Sequence, residues 1–106
     1  MVMRGEVWLV ALDPTIGREI KKTRPALVVS PDEINASLDT VIVAPMTTGA
    51  SPAPFRVPVL FARKRGLVLM EQMRAVDAGR LVRRVGRVPG IVLEAALQVG
   101  REMFAP

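Results

Sequence analysis

The fold is decided by the stretch Lys22-Thr23-Arg24-Pro25-Ala26-Leu27-Val28-Val29-Ser30, which passes directly from charged residues into an apolar run. The apolar run is typical of a buried strand. Pro25 disfavours a helical conformation for the residue before it, so Arg24 is predicted to be extended, with its guanidinium held where that strand begins. An isolated arginine before proline also fits a simpler role, in which its stem covers the edge of the core and its head stays in water.

A second apolar run ends in hydroxyl groups. Residues 40–46 predict another buried strand, and the turn that follows carries Thr47 and Thr48. A guanidinium at the entry of one strand and a hydroxyl at the exit of another can converge at one end of a sheet. This possibility makes Arg24 more than an isolated surface cation.

The rest of the chain is also predicted to be mainly β. Apolar patterns predict strands at residues 4–12, 25–30, 40–46, 55–59, 66–76 and 85–88. Residues 32–35 predict a single helical turn, and the periodicity of residues 90–104 predicts the one long helix. We therefore expect a mainly β (α+β) fold: a small, strongly bent antiparallel sheet or barrel with a C-terminal helix, in one domain over residues 1–106.

The amino-acid composition limits the kinds of catalytic and metal site that the protein can have. The 106 residues include no Cys, His or Tyr. Disulfides, thiolate zinc sites and cysteine nucleophiles are therefore excluded, and acid–base catalysis must use carboxylates, Arg, Lys or hydroxyl groups. The net charge of +5 favours a polyanionic partner, with nucleic acid as the first candidate and an acidic protein as the second. A basic turn at residues 63–66 gives weak support for phosphate binding.

Nothing in the sequence predicts a membrane partner. No apolar run approaches the roughly 18 residues that a membrane-spanning helix needs, and the first residues lack a signal-peptide pattern. We therefore expect a soluble, cytoplasmic protein.

One carboxylate joins the candidate site. The strand predicted at residues 66–76 is apolar at its start and becomes polar from Glu71 onward, so Glu71 is expected on the ligand side of the sheet. A carboxylate there needs a cation or a hydrogen-bond donor. The sequence lacks phosphate-binding loops, dinucleotide-binding motifs, nucleophile elbows and metal-ligand spacings. From the residues alone, the prediction is a basic β domain that can bind phosphate.

Five segments together resemble the MazF/PemK toxins of bacterial toxin–antitoxin systems, over nearly the whole chain. In order, they are Arg4-Gly5-Glu6-Val7-Trp8-Leu9-Val10, Asp13-Pro14-Thr15-Ile16-Gly17-Arg18-Glu19, Thr23-Arg24-Pro25-Ala26-Leu27-Val28-Val29-Ser30, Val43-Ala44-Pro45-Met46-Thr47-Thr48 and Glu71-Gln72-Met73-Arg74-Ala75-Val76-Asp77. The resemblance implies a homodimer of SH3-like barrels that cleaves single-stranded RNA at a short sequence without a metal or other cofactor. It also implies a cognate antitoxin whose acidic tail neutralises the toxin.

The resemblance assigns the catalytic residues position by position. The family's active-site arginine before proline falls on Arg24, and its threonine falls on Thr47. In one branch of the family an Arg and an Asp stand at the places of Leu69 and Glu71. Here the Arg is missing and the Asp is replaced by Glu, so Glu71 either takes a proton or orients Arg24.

The same resemblance guides the RNA-binding assignments. A histidine that some members use lies at the place of Arg18. We expect the RNA contacts at Arg18, Glu19, Lys21, Lys22, Thr48, Arg56 and Arg74.

The implied reaction is RNA cleavage by attack of the substrate's own 2′-hydroxyl, for which an enzyme chiefly orients the phosphate and stabilises developing charge. Two alternatives stay open. One is a gyrase-poisoning toxin of the CcdB type, although that group is known for a C-terminal tryptophan and this chain ends in Met103-Phe104-Ala105-Pro106. The other is a basic β module that binds RNA or an acidic peptide without catalysis.

Overall fold

The strands form one curled antiparallel sheet in the computed structural model, which describes residues 1–106. The strands are β1 (Glu6–Ala11), β2 (Thr23–Val28), β3 (Thr40–Thr47), β4 (Arg56–Phe61), β5 (Lys64–Leu69), β6 (Arg74–Asp77) and β7 (Leu81–Arg87). The helices are α1 (Asp32–Ser37) and α2 (Gly90–Phe104), with short 3₁₀ turns at Met70–Gln72 and Ala78–Arg80. The predicted mainly β class, with an antiparallel barrel-like sheet and a C-terminal helix, is confirmed.

The strand order places β3 at the centre. The neighbours run β4-β5-β3-β2-β1-β7, and β6 also pairs with β3. β5 pairs with the end of β3 and β6 pairs with its start, so both lie along the same strand. β4 and β7 stand at the two ends of this order, and β6 pairs with no strand other than β3.

Two predicted strand boundaries were wrong. The single strand expected at residues 66–76 is two strands, because the 3₁₀ turn at Met70–Gln72 separates β5 from β6. The apolar run from Leu67 to Met70 is buried throughout, so the sequence shows no break where the turn begins. The last strand starts at Leu81, four residues before the predicted strand at 85–88 begins, because its first half pairs along β1.

The core has two parts, because the central strands are apolar on both faces. Ala26 and Val28 of β2 belong to one cluster, whereas Leu27, between them, belongs to the other. Alternation along a strand sends successive side chains to opposite faces, which explains the division. α2 covers the second cluster through Ala96, which is fully buried. No helix of the chain has the length and apolar character to cross a membrane.

A buried carboxylate connects β1 to β7. Glu6 Oε1 accepts hydrogen bonds from the backbone N–H of Met3 at 2.8 Å and from Trp8 Nε1 at 3.2 Å. Its Oε2 lies 2.7 Å from Arg84 Nε. Burial alone raises the pKa of Glu6, but these hydrogen bonds and the charges of Arg84 and Arg87 outweigh it and lower the pKa below its ordinary value.

Candidate functional site

A cleft of about 360 Å³ opens where β2 begins and β3 ends, and we name it the Arg24 cleft. It brings Arg24 together with Thr47 and Thr48, as the sequence predicted. The other lining residues are Leu9, Pro25, Met46, Val59, Phe61, Ala62, Lys64, Gly66, Leu67, Arg83 and Val85.

The residues on each side of Arg24 set its backbone conformation. Lys22 has a positive φ of 68°, and the chain then enters β2, in which Arg24 is extended as the following proline requires. The Arg24 side chain is exposed, and its Nε donates a hydrogen bond to the carbonyl oxygen of Lys21 at 3.3 Å. Its guanidinium is therefore anchored by one bond and open to a ligand.

Thr47 lines the same cleft as Arg24. The antiparallel pairing of β2 with β3 ends at Ala26 and Pro45, two residues after Arg24 on one strand and two residues before Thr47 on the other. Thr47 Oγ1 accepts a hydrogen bond from the N–H of Gly49 at 3.1 Å. The hydroxyl hydrogen of Thr47 stays available as a donor to a bound oxygen.

A glycine allows β5 to approach Thr47 closely. A Cβ added at Gly66 would lie 2.7 Å from the Thr47 carbonyl oxygen and 3.2 Å from its carbonyl carbon. Both contacts are with backbone, which cannot rotate away. Gly66 therefore sets the position at which Thr47 leaves the sheet.

The Arg24 cleft is positively charged and has no internal counter-charge. Arg24, Lys64 and Arg83 line it, and none of its lining residues is acidic. The ion pairs of the chain lie elsewhere, and join Arg56 to Glu71, Arg84 to Glu6, and Arg101 to Glu94. Three free cations around one cleft favour an anionic ligand.

Glu71 lines a second cleft, of about 440 Å³, which we name the Glu71 cleft. The lining residues are Glu19, Ile20, Pro45, Glu71, Gln72, Met73 and Arg74. Arg56 reaches Glu71 Oε2 with Nη2 at 2.7 Å and with Nε at 2.8 Å, and donates from Nη1 to the carbonyl oxygen of Ser51 at 2.9 Å. Glu71 Oε1 makes no hydrogen bond within the chain.

The structure does not bring Glu71 into the Arg24 cleft. The sequence allowed Glu71 to orient Arg24 directly, but Glu71 is bound to Arg56 instead. The two clefts are lined by consecutive residues of β3, Pro45 in the Glu71 cleft and Met46 in the Arg24 cleft.

The predicted RNA-binding residues divide among the clefts and the loop between β1 and β2. Arg18, Lys21 and Lys22 are exposed on that loop. The loop is tied to the sheet, since Gln72 Oε1 accepts from the N–H of Ile20 at 2.9 Å and Arg74 Nη1 donates to the carbonyl oxygen of Leu12 at 3.1 Å. Glu19 and Arg74 line the Glu71 cleft, Thr48 lines the Arg24 cleft, and Arg56 holds Glu71.

Sequence reasoning missed two cations of the Arg24 cleft, Lys64 and Arg83. Lys64 lies in the basic segment 63–66, which gave only weak support for phosphate binding. Arg83 is one of two adjacent arginines on β7. Alternation distinguishes the two faces of a strand, but only the pairing of β7 with β1 shows which arginine faces the cleft.

Residues 3–104 match the family model described as PemK-like, MazF-like toxin of type II toxin-antitoxin system. Endoribonuclease PemK from Escherichia coli is 39% identical to this chain over 100 residues, which cover 89% of the chain and 75% of that protein. Endoribonuclease MazF9 from Mycobacterium tuberculosis is 40% identical over 99 residues, which cover 83% of each.

Solved structures agree with these relatives. MazF from Deinococcus radiodurans matches with a TM-score of 0.85 at 26% identity, over 96% of this chain and 94% of that chain. A MazE–MazF crystal structure from the same organism matches with a TM-score of 0.76 at 27% identity, over 98% of this chain and 95% of that chain. The chain therefore belongs to the PemK-like, MazF-like toxin family of type II toxin–antitoxin systems.

Proposed function

We propose that this chain is a toxin endoribonuclease that cleaves single-stranded RNA at a short sequence and that acts as one domain over residues 1–106. The observation that carries the proposal is the Arg24 cleft, which is lined both by a guanidinium without a counter-ion and by Thr47 with its hydroxyl group. The similarity of the chain to proteins named endoribonuclease PemK and endoribonuclease MazF9 supports the same activity.

The proposed reaction is a transesterification in which the RNA supplies its own nucleophile. The 2′ oxygen bonds to the adjacent phosphorus and loses its proton, the bond from phosphorus to the 5′ oxygen breaks, and that oxygen takes up a proton. The products are a 2′,3′-cyclic phosphate and a 5′-hydroxyl. Arg24 stabilises the negative charge that develops on the non-bridging oxygens, and Thr47 donates a hydrogen bond to one of them. No step of this scheme requires a metal or another cofactor.

Glu71 is the proposed carboxylate of the site. Arg56 holds Oε2, so the unbonded Oε1 can accept a hydrogen bond or a proton from RNA bound in the Glu71 cleft. The exposed cations of the loop, Arg18, Lys21 and Lys22, extend the basic surface on which we place the RNA backbone, with Glu19, Thr48, Arg56 and Arg74 as further contacts.

The proposed partners besides RNA are a second copy of the chain and a cognate antitoxin. Exposed apolar residues at both sheet edges, Leu60 on β4 and Val82 on β7, leave apolar surface for a homodimer. A specific dimer is expected to bury on the order of 1,600 Å² in total, and equilibrium sedimentation at micromolar concentration measures it. A monomer in that experiment contradicts the dimer.

We propose an acidic antitoxin segment that competes with RNA for the free cations, and we propose that this competition takes place in the cytoplasm. The MazE–MazF crystal structure of the similar D. radiodurans protein supports a protein antitoxin as a partner. Inhibition is expected to weaken as salt rises, because the contacts are electrostatic. An antitoxin that inhibits in a complex structure without covering Arg24, Lys21 or Lys22 contradicts direct competition.

The test of the activity is incubation of the purified protein with RNAs of defined sequence in EDTA, with the cleaved ends analysed. We expect cleavage at a recurring short sequence, with a cyclic phosphate on one product and a 5′-hydroxyl on the other. RNA that is bound but left intact indicates a binding module, and RNA that is neither bound nor cleaved leaves the gyrase-poisoning alternative. Cleavage that EDTA abolishes contradicts a metal-independent reaction.

A further inference from the structure

The Arg24 cleft is lined by several residues that have no role in the proposed catalysis by Arg24 and Thr47. Beyond Arg24 and Thr47 it has an apolar floor and two further cations, Lys64 and Arg83. We propose that this part of the cleft is a nucleotide subsite, in which a base of the RNA lies on the apolar floor and Arg83 and Lys64 hold the phosphate next to it. The inference rests on the proposed function and names how the substrate is positioned there.

Cross-strand pairing explains why Arg83 faces the cleft. Arg83 is paired with Leu9 of β1, and Leu9 is paired with Pro25 of β2, so the three residues form a row across neighbouring strands. All three line the cleft. Residues paired across antiparallel strands present their side chains on the same face. Arg83 therefore lies at one end of a row that leads to the residue after Arg24.

The adjacent arginine is used differently. Arg84 points away from the cleft and pairs with the buried carboxylate of Glu6 at 2.7 Å. Arg83 is exposed and forms no ion pair or hydrogen bond within the chain. The fold thus gives one arginine a structural partner and leaves its neighbour free in the cleft that Arg24 also lines.

The floor of the cleft is apolar, and a glycine shapes its end. Leu9, Met46 and Leu67 contribute aliphatic side chains, and Phe61 contributes a ring. A Cβ added at Gly86 would lie 3.0 Å from Cζ of Phe61, so the absence of a side chain at Gly86 lets the ring pack against β7.

The apolar floor of the cleft suits the base of a nucleotide, and the cations at its rim suit the phosphate. A base offers a flat apolar face, and single-stranded RNA is commonly recognised by contacts to unstacked bases together with cations along the backbone. The volume of about 360 Å³ lies within the roughly 300–1,000 Å³ of small-molecule sites. Free phosphate uses only the rim, so the base is the part that distinguishes this proposal from simple anion binding.

The binding experiment uses the full chain and single nucleotides. Isothermal titration or NMR compares the four 5′-nucleoside monophosphates with ribose 5-phosphate, which has the same phosphate position and lacks the base. We expect at least one nucleotide to bind about tenfold more tightly than ribose 5-phosphate, from base contact with the floor. If all four nucleotides bind no better than ribose 5-phosphate, the base subsite is wrong.

Substitutions test the proposed roles of Arg83 and of the Phe61 ring in nucleotide binding. Arg83→Gln is expected to weaken nucleotide binding about tenfold, because it removes a charged hydrogen-bond donor to phosphate. Arg101→Gln, an exposed arginine on α2 outside the cleft, makes the same charge change and is expected to have no effect. Phe61→Leu is expected to reduce the advantage of nucleotides over ribose 5-phosphate, with its melting temperature measured as a folding control. Equal effects of Arg83→Gln and Arg101→Gln overturn the proposal.

Kinetics with a cleaved RNA separate this inference from the proposed function. Arg83→Gln is expected to raise KM while kcat stays near its original value, and to make the dependence of log affinity on log salt shallower by about 0.7. A wild-type protein that binds nucleotides through Arg83 but cleaves no RNA contradicts the proposed function and not the subsite. An acidic peptide that loses affinity in Arg83→Gln, with nucleotide binding unchanged, assigns the subsite to a peptide and overturns the inference.

Discussion

The Arg24 cleft and the Glu71 cleft are lined by consecutive residues of β3 but differ in whether their charged side chains are paired within the chain. In the first, Arg24 and the other cations have no carboxylate partner and lie around an apolar floor. In the second, the carboxylate of Glu71 is already held by Arg56, which is itself tied to the carbonyl oxygen of Ser51. The first cleft is prepared for an anion, whereas the charges of the second are largely satisfied before any ligand arrives.

The difference suggests separate roles in one reaction. A cation without a counter-ion can stabilise charge that appears only in the transition state, without first breaking an internal pair. A carboxylate with one oxygen fixed and one free is suited to orienting RNA through a hydrogen bond. The predictions below test this division, beginning with the largest expected effect.

Arg24→Ala is expected to lower the cleavage rate about a hundredfold to a thousandfold, the usual loss for one donor to a developing charge. RNA binding should fall far less, because the other cations of the cleft remain. Single-turnover cleavage and a separate binding titration measure the two effects. An equal loss in binding and in cleavage indicates that Arg24 only holds RNA.

Arg24→Lys is the matched variant, since it keeps the charge and removes the planar fork. We expect it to restore little activity, because an ammonium makes point contacts and cannot replace two parallel donors on a phosphate. Near-complete rescue by Lys would show that charge alone is needed at this position.

Thr47→Val is expected to slow cleavage about tenfold to a hundredfold, since it removes a hydrogen bond to a charged group with little change in shape. Thr48→Val is the control within the same cleft and should have a smaller effect. The rates of both variants on one RNA decide the assignment. A larger loss for Thr48→Val means that Thr48 is the catalytic threonine.

Gly66→Ala is expected to destabilise the protein by about 1–3 kcal/mol, because the new methyl group would meet the backbone of Thr47 at 2.7 Å. For a domain of this size the melting temperature should fall by roughly 5–20 °C. Because Thr47 must move, the folded fraction should also cleave RNA more slowly. Gly90→Ala has no atom within 4 Å of the added carbon and should lower neither property.

The sequence predicted the Arg24 cleft well because its main determinants are local. The extended conformation of Arg24 follows from Pro25 alone, and the apolar runs before Ser30 and before Thr47 indicate two strands without reference to the rest of the chain. The end of the Arg24 cleft near Arg83 could not be predicted in the same way. Its geometry depends on the pairing of β7 with β1, between residues that lie far apart in the chain.

The Glu71 cleft was predicted less well for a related reason. The 3₁₀ turn at Met70–Gln72 interrupts a run that is buried on both faces, and no glycine or proline marks it. The partner of Glu71 depends on the β4–β5 register, in which Arg56 is paired with Leu69, two residues before Glu71. That register places the cation across the strand, where sequence spacing alone does not reveal it.

The smallest expected effect is that of Glu71→Gln, which decides what the carboxylate does. If Glu71 orients groups through Arg56, the amide keeps an oxygen for the Arg56 donors, and cleavage should fall only a few-fold with the acid limb of the pH–rate profile still present. If Glu71 is the general base, its loss should cost about a hundredfold to ten-thousandfold and remove that limb. We expect the first outcome, because Arg56 binds Glu71 with two donors while Arg24 lies in the other cleft.

A double-mutant cycle with Arg56→Gln measures how much the pairing of Arg56 with Glu71 contributes to stability. Both side chains are less than one-third exposed, at 23% and 31%, so a coupling of about 1 kcal/mol in unfolding free energy is expected. A folded Glu71→Gln protein that binds RNA but cleaves it at no pH contradicts the orienting role.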